Sequence, residues 1–294
     1  MKYIPALFTA IVWGSTFIAS KHIITHGIEP CVIMIIRFVL AYISLWILYP
    51  KYIKFHFNKD ELKFLLVGLS GGSVYFLFEY QALQHTTAIN VGLLTSTVPI
   101  TGTALQYLFY RQRPTKYYLI GSLIAFIGVS FVILSPLLQT SDISSLSVNL
   151  LGDSLCIISV LLWSVYSLVL DRIPSHYSPF FVSRRLFFYS IITILPFVVA
   201  KYNPGDIEAI TSDISCLFSV IYLGIFASAT CMWLWNWSFQ KIGLSHTNMF
   251  LYLMPLVSLI TATCYNSSEF TLWATLGAIL IFIGIVLADY KGQA

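Results

Sequence analysis

The chain of 294 residues is 58% hydrophobic and only 10% charged, with a mean hydropathy of +0.83. A soluble protein covers its surface with roughly 25% charged residues, so this composition excludes one and makes lipid the solvent for most of the chain. The net charge of +4 is too small and too scattered for a nucleic-acid partner.

A membrane span takes about 20 apolar residues. Ten stretches qualify: 3–21, 31–50, 63–83, 88–110, 117–136, 150–171, 180–200, 214–239, 244–265 and 271–289. The first is read as a retained helix rather than a signal peptide, because Trp13-Gly14-Ser15-Thr16 lie in its middle and no clear A-x-A site follows. The longest links, 51–62, 137–149 and 201–213, are too short to house a soluble domain. The five cysteines, Cys31, Cys156, Cys216, Cys231 and Cys264, form no CxxC pair and lie in or beside apolar runs. They read as small apolar side chains, with no disulfide framework and no metal site expected.

Lysine and arginine set the orientation. With the N-terminus inside, the inner links carry Lys51, Lys54, Lys59, Arg111, Arg113, Lys116, Arg172 and Lys241, and Lys291 follows the last span. The outer links carry only Lys21 and Lys201, and link 201–213 is acidic through Asp206, Glu208 and Asp213. Both termini are therefore expected in the cytoplasm.

In the third span, Gly68-Leu69-Ser70-Gly71 resembles the nucleophile motif of rhomboid intramembrane proteases. Such a serine needs a histidine from another helix. The six histidines (His22, His26, His56, His85, His176 and His246) all fall in links or at helix ends. Gly68-xxx-Gly72 is instead the small-xxx-small spacing of close helix contact. Glu79, later in the same span, is a lone carboxylate in an apolar run. A charge at membrane depth costs at least about 2.5 kcal/mol and needs compensation. Arg37 of the second span lies at a similar depth, so an Arg37–Glu79 pair is expected, whether structural, proton-coupling or a contact for a cationic group of a solute.

Polar and aromatic residues recur at helical spacing. They are Thr9, Trp13, Thr16 and Ser20 in the first span, with Ser159, Trp163 and Tyr166 in the sixth. Asn90, Thr97 and Thr101 share a face in the fourth, Asn248 and Tyr252 in the ninth. Tyr75 stands one turn before Glu79, and Trp235 lies in the eighth span. Polar groups in hydrocarbon must face a partner or water. These stripes predict an inward-facing path, with Trp13, Tyr75, Glu79, Asn90, Trp163, Tyr166, Trp235, Asn248 and Tyr252 as candidate solute contacts. Ser and Thr bonding to their own helix, and Trp and Tyr at the interfaces, offer the alternative account. The fifth and tenth spans lack such stripes and read as scaffold or lipid-facing helices. Arg184 and Arg185 at the start of the seventh are expected to snorkel to lipid phosphates or to pair with Asp171.

Shifted by 156 residues, the second halves of the two repeats match without a gap. Gly68 meets Gly224, Gln84 meets Gln240, Pro99 meets Pro255, Thr115 meets Thr271, and Phe126-Ile127-Gly128 meets Phe282-Ile283-Gly284. A weaker match at 150 pairs Trp13 with Trp163. Five spans followed by five make the second copy enter the membrane from the opposite side, an inverted repeat with a solute site near the midplane. The expected fold is all-α, with ten transmembrane helices in two inverted five-helix repeats, 1–136 and 150–294.

Trp13-Gly14-Ser15-Thr16-Phe17 resembles the opening of the drug/metabolite transporter superfamily, EamA type, and Arg37-Phe38 resembles the pair that follows. The Pro99 and Pro255 helices, each followed by a Gly-rich helix, are similar to its two repeat endings. The family's Gly-Glu pair is replaced by Arg111-Gln112 and Ser267-Ser268, with Glu269 one residue displaced. The resemblance implies export, or import, of amino acids, drugs or small metabolites across the inner membrane of a bacterium. The prediction is a secondary transporter, an exporter of a small amphipathic solute such as an amino acid or metabolite. It would work by alternating access around a central cavity between the repeats, as a monomer or homodimer in contact with membrane lipid. No cofactor, metal or nucleic acid is expected, since no Walker motif, dinucleotide fingerprint or H-E-x-x-H appears. A membrane-embedded enzyme acting on a lipid-like substrate is the alternative.

Overall fold

The computed structural model describes residues 2–51, 59–86, 88–140, 149–266 and 271–289. Lys54, His56, Glu269 and Lys291 lie outside them. The described residues form helices joined by short turns and links, without a strand. In chain order they form α1 (Ile4–Thr25), α2 (Pro30–Leu48), α3 (Lys59–Gly68), a π-helical turn (Leu69–Ser73), α4 (Val74–His85), α5 (Ala88–Thr95), α6 (Val98–Tyr110), α7 (Lys116–Thr140) and α8 (Leu150–Leu170). There follow α9 (Pro179–Lys201), α10 (Pro204–Ser212), α11 (Ile214–Ile221), a second π-helical segment (Tyr222–Thr230), α12 (Cys231–Met249), a 3-10 turn (Phe250–Leu253), α13 (Met254–Asn266) and α14 (Leu272–Asp289). Seven helical stretches among them are long and apolar enough to cross a membrane. With the large apolar side chains exposed along α1, α7, α9 and α14, they make this an integral membrane protein.

Local sequence sets the helix ends. Ser178 caps α9 by accepting a hydrogen bond from the Phe181 amide at 3.3 Å, and Pro179 fills the first position, where its missing N–H costs nothing. Link 201–213 is not a plain loop: Asn203 and Asp206 form a capping box that starts α10. Thr115 and Thr271, 156 residues apart, make matching caps; each hydroxyl accepts from the amide three residues on, Tyr118 and Ala274, at 3.1 Å. The chain breaks before Pro99, between α5 and α6, and tightens into the 3-10 turn before Pro255. A proline supplies no N–H and crowds the carbonyl one turn back, so both interruptions of the α-helix fall where the repeat aligns the prolines.

Contacts divide the chain into two compact units, each discontinuous. The first is Met1–Leu77 with Val169–Lys241, the second Phe78–Leu168 with Ile242–Ala294.

In the first unit, α2 packs on the second π segment and α9 on the first. Glycines let the backbones close. A Cβ on Gly224 would lie 2.7 Å from the Leu40 Cβ, and one on Gly68 would meet the Tyr189 Cβ and the Leu186 carbonyl. Gly72 departs from helical geometry (φ −131°, ψ −109°) inside the first π turn, opposite Ser190. The two π segments are repeat-related, because residues 69–73 shifted by 156 fall within Tyr222–Thr230. Ser70 is buried with its hydroxyl on the Leu66 carbonyl at 2.6 Å, the place of a packing residue in its own helix.

In the second unit, α7 and α14 pair along their length through four glycines. A Cβ on Gly121 would strike the Gly284 carbonyl and one on Gly128 the Gly277 carbonyl, with the reciprocal contacts equally tight. Ascending residues on one helix meet descending residues on the other, so the two run antiparallel. The helices without polar stripes are thus each other's partners.

Candidate functional site

The polar stripe of α1 in the first unit is bonded to the π segment and the start of α12. Trp13 Nε1 donates to the Ala227 carbonyl at 2.8 Å, and Thr9 Oγ1 to the Cys231 carbonyl at 3.4 Å. A π turn leaves carbonyls displaced from the i→i−4 ladder, which is why a side chain from a neighbouring helix can take them. The Trp13 ring lies 4.9 Å from that of fully buried Trp235, itself 6.0 Å from Phe239. Ser15 and Tyr222 share a hydroxyl–hydroxyl bond of 2.7 Å. Arg37, only 6% exposed, donates from Nε to Ser228 Oγ at 3.0 Å and lays its guanidinium over the Phe76 ring at 4.7 Å. Phe76 in turn meets Tyr75 edge-on at 4.9 Å. Trp13, Arg37, Tyr75 and Trp235 therefore belong to one aromatic and hydrogen-bonded neighbourhood.

The second unit holds the other predicted residues. Trp163 and Tyr166 stack obliquely at 5.0 Å on α8, Tyr166 fully buried. Asn248 and Ser167 exchange bonds of 3.3 and 3.5 Å, with Gly102 leaving room for the amide. Thr101 bonds Ser164 at 2.7 Å, and Tyr252 is fully buried. Asn90 sits apart from these: its Nδ2 donates to Thr86 Oγ1 at 3.0 Å and to Asp153 Oδ1 at 3.1 Å. Glu79 is half-buried on α4. A cavity of about 520 Å³ between α6 and α7, lined by Thr103, Tyr107, Arg113, Tyr118 and Ser122 among others, includes none of the predicted residues.

One buried acid was not singled out from the sequence. Glu61, 6% exposed, accepts from Tyr189 Oη at 2.7 Å and pairs with Arg185 at 3.3 Å. Arg184 donates to the Tyr49 and Lys51 carbonyls at 3.1 and 2.8 Å, with its guanidinium 4.1 Å from the Trp46 ring. Both arginines are thus held by protein groups in place of the expected lipid phosphates or Asp171. The signal was present in Glu61, an acid at the start of an apolar span with arginines on another. Near the turn between α1 and α2, His26 Nε2 lies 3.1 Å from Asp213 Oδ2. The Ser215 hydroxyl, and then its amide, hold the Asp213 carboxyl below the usual carboxylate range.

A model of the EamA-like transporter family matches this chain twice, over residues 1–134 and 150–288. An uncharacterized transporter of Archaeoglobus fulgidus is 27% identical over 292 residues, 99% of either chain. The uncharacterized transporter YyaM of Bacillus subtilis is 23% identical over 290 residues, covering 98% of this chain and 93% of that one. A protein known from its crystal structure superposes with a TM-score of 0.81 over 99% of this chain and 97% of the other at 14% identity, a likeness of fold alone.

Proposed function

Since the chain belongs to the EamA-like transporter family, we propose that it is a secondary transporter that exports a small amphipathic solute, such as an amino acid or metabolite, by alternating access across a bacterial inner membrane. The two repeats, 1–136 and 150–294, are inverted relative to one another in this reading, with ten spans and both termini cytoplasmic. One observation carries it. Gly121 and Gly128 of α7 reappear 156 residues later as Gly277 and Gly284 of α14, and the two helices pack antiparallel on those glycines. Repeat-related helices running in opposite directions are what an inverted duplication produces, and such duplications give the two related gates of alternating access.

The solute contacts in this reading are Trp13, Tyr75, Trp163, Tyr166, Trp235, Asn248 and Tyr252. Glu79 receives a cationic group of the solute or a proton, and Arg37 stands as its counter-charge. Asn90 serves the path at its end, beside Asp153. Aromatic faces with a few fixed hydrogen-bonding groups suit a solute that is part apolar and part polar.

Counterflow into proteoliposomes loaded with a panel of amino acids and metabolites, with an internal pH dye, tests the reading. Exchange of one solute class above protein-free vesicles is expected, together with a change in its pH dependence in Glu79→Gln. Absence of exchange for every class, with folded protein in the vesicles, would remove the transport assignment.

A further inference from the structure

Three donor atoms of different chemistry converge at the turn between α1 and α2. They are a ring nitrogen of His26, a carboxylate oxygen of Asp213 and the thiol sulfur of Cys216, all within 4.8 Å of one another. We propose that they bind a borderline-soft divalent cation of the zinc type.

Asp213 is oriented for the task. Its Oδ1 accepts from both the amide and the hydroxyl of Ser215 at 2.8 Å, which fixes the plane of the carboxylate. Its Oδ2 then faces His26 Nε2 at 3.1 Å and Cys216 Sγ at 3.7 Å. Hydrogen bonds that hold a ligand in position are a regular part of metal sites. Donors around a tetrahedral zinc stand about 3.3–3.8 Å apart, as bonds of roughly 2.0–2.3 Å require. Two separations are already near that range, and the third needs a modest swing of the His26 ring, which is 38% exposed on its side chain. Asp213 and Cys216 lie within one turn at the start of α11, and His26 comes from the adjoining turn of the chain. A metal here would clip the α1–α2 turn to α11 within a single compact unit. The nitrogen, oxygen and sulfur set favours zinc or cobalt over magnesium or calcium, which prefer oxygen alone. The His26 and Asp213 side chains are partly exposed, so water can complete a four-coordinate shell, and Cys216 releases its proton to bulk solvent on binding.

Titration of purified full-length protein in detergent, its affinity tag removed and its metals stripped with a chelator, tests the site with Co²⁺ and Zn²⁺. The expected result is one cobalt per chain with a thiolate-to-cobalt charge-transfer band in the near ultraviolet, displaced by one zinc. Cys216→Ser removes the band, and His26→Ala, a change at the surface, weakens zinc binding roughly 10-fold or more. Cys264→Ser, which removes the exposed thiol of α13, leaves both unchanged. No band in the native chain, a band retained in Cys216→Ser, or unaltered zinc affinity in His26→Ala would each overturn the site. None of these readings depends on transport.

Discussion

Gly121 and Gly284 face each other so closely that a Cβ on either would run into the carbonyl oxygen of the other. The obstructing atoms are backbone, which cannot rotate away, so any larger residue must push α7 and α14 apart. Gly121→Val is therefore expected to destabilise by about 1–3 kcal/mol or more, the range of overpacking in a tight core. The contrast is Gly92 on α5, whose added Cβ would meet the Ile133 Cδ1 at 3.1 Å, the mobile end of a side chain. Gly92→Ala gains helix propensity and should be near neutral. Thermal unfolding followed by size-exclusion chromatography in detergent separates the two; equal melting of Gly121→Val and the native chain would discard the account of the seam.

Arg37 makes two contacts that one lysine cannot reproduce, a directional Nε–H bond to Ser228 and a planar stack over Phe76. Arg37→Lys should lose most of both. Ser228→Ala removes only the hydrogen bond and is expected to cost about 1.5–3 kcal/mol, as for bonds to charged groups. If the two contacts act as described, Ser228→Ala should matter far less in an Arg37→Lys background, and a double-mutant cycle in unfolding free energy measures that difference. Additive losses would show that Arg37 is held elsewhere.

How much of this could be seen in the chain beforehand depends on the kind of signal. The duplication was legible because glycine, proline and glutamine have few equivalents in apolar helices; Thr115 and Thr271, aligned by number, turned out to make the same cap. The packing role of Gly68 and Gly72 was legible for the same reason. The π segments were not, since a π turn leaves no compositional mark. Periodicity placed Trp13 on a polar stripe but could not tell that its indole would end on the Ala227 carbonyl. Asn90 shares a face with Thr97 and Thr101, yet its amide goes to Thr86 and Asp153 because α8 begins beside it. The protein partners of Arg184 and Arg185 were missed because snorkelling is judged from one helix, whereas those partners come from α3 and from the residues just after α2. His26, Asp213 and Cys216 carry no shared motif; only the fold joins a residue near position 26 to two near 213.

Glu61 and Arg185 form a buried ion pair at 3.3 Å with Tyr189 Oη donating to the same carboxylate at 2.7 Å. Both partners have left water, so removing one strands the other. Glu61→Gln and Arg185→Met are each expected to cost about 3–5 kcal/mol. The double substitution should cost clearly less than the sum, because it leaves no uncompensated charge and keeps the volume filled. Denaturant or thermal unfolding of the four proteins gives the coupling; no coupling would mean that water, not Arg185, balances Glu61.

Substitutions of Trp13 can be arranged to separate its part in stability from the part in transport proposed for it. Trp13→Phe keeps an aromatic ring against Trp235 but leaves the Ala227 carbonyl without its 2.8 Å donor. A buried acceptor stripped of its partner costs about 1–3 kcal/mol. Trp13→Ala removes the ring as well and should cost about 3–5 kcal/mol. If Trp13 only ties α1 to the π segment, both variants reduce the amount of folded protein and hence the maximal exchange rate, while the half-saturating solute concentration stays put. If its ring also forms a wall of the path, Trp13→Phe in addition raises that concentration several-fold, because the solute loses contact area in its bound state. Counterflow rates normalised to folded protein, measured across solute concentrations, distinguish these outcomes. The proposed path predicts the second, and an unmoved half-saturation in both Trp13 variants would remove Trp13 from it.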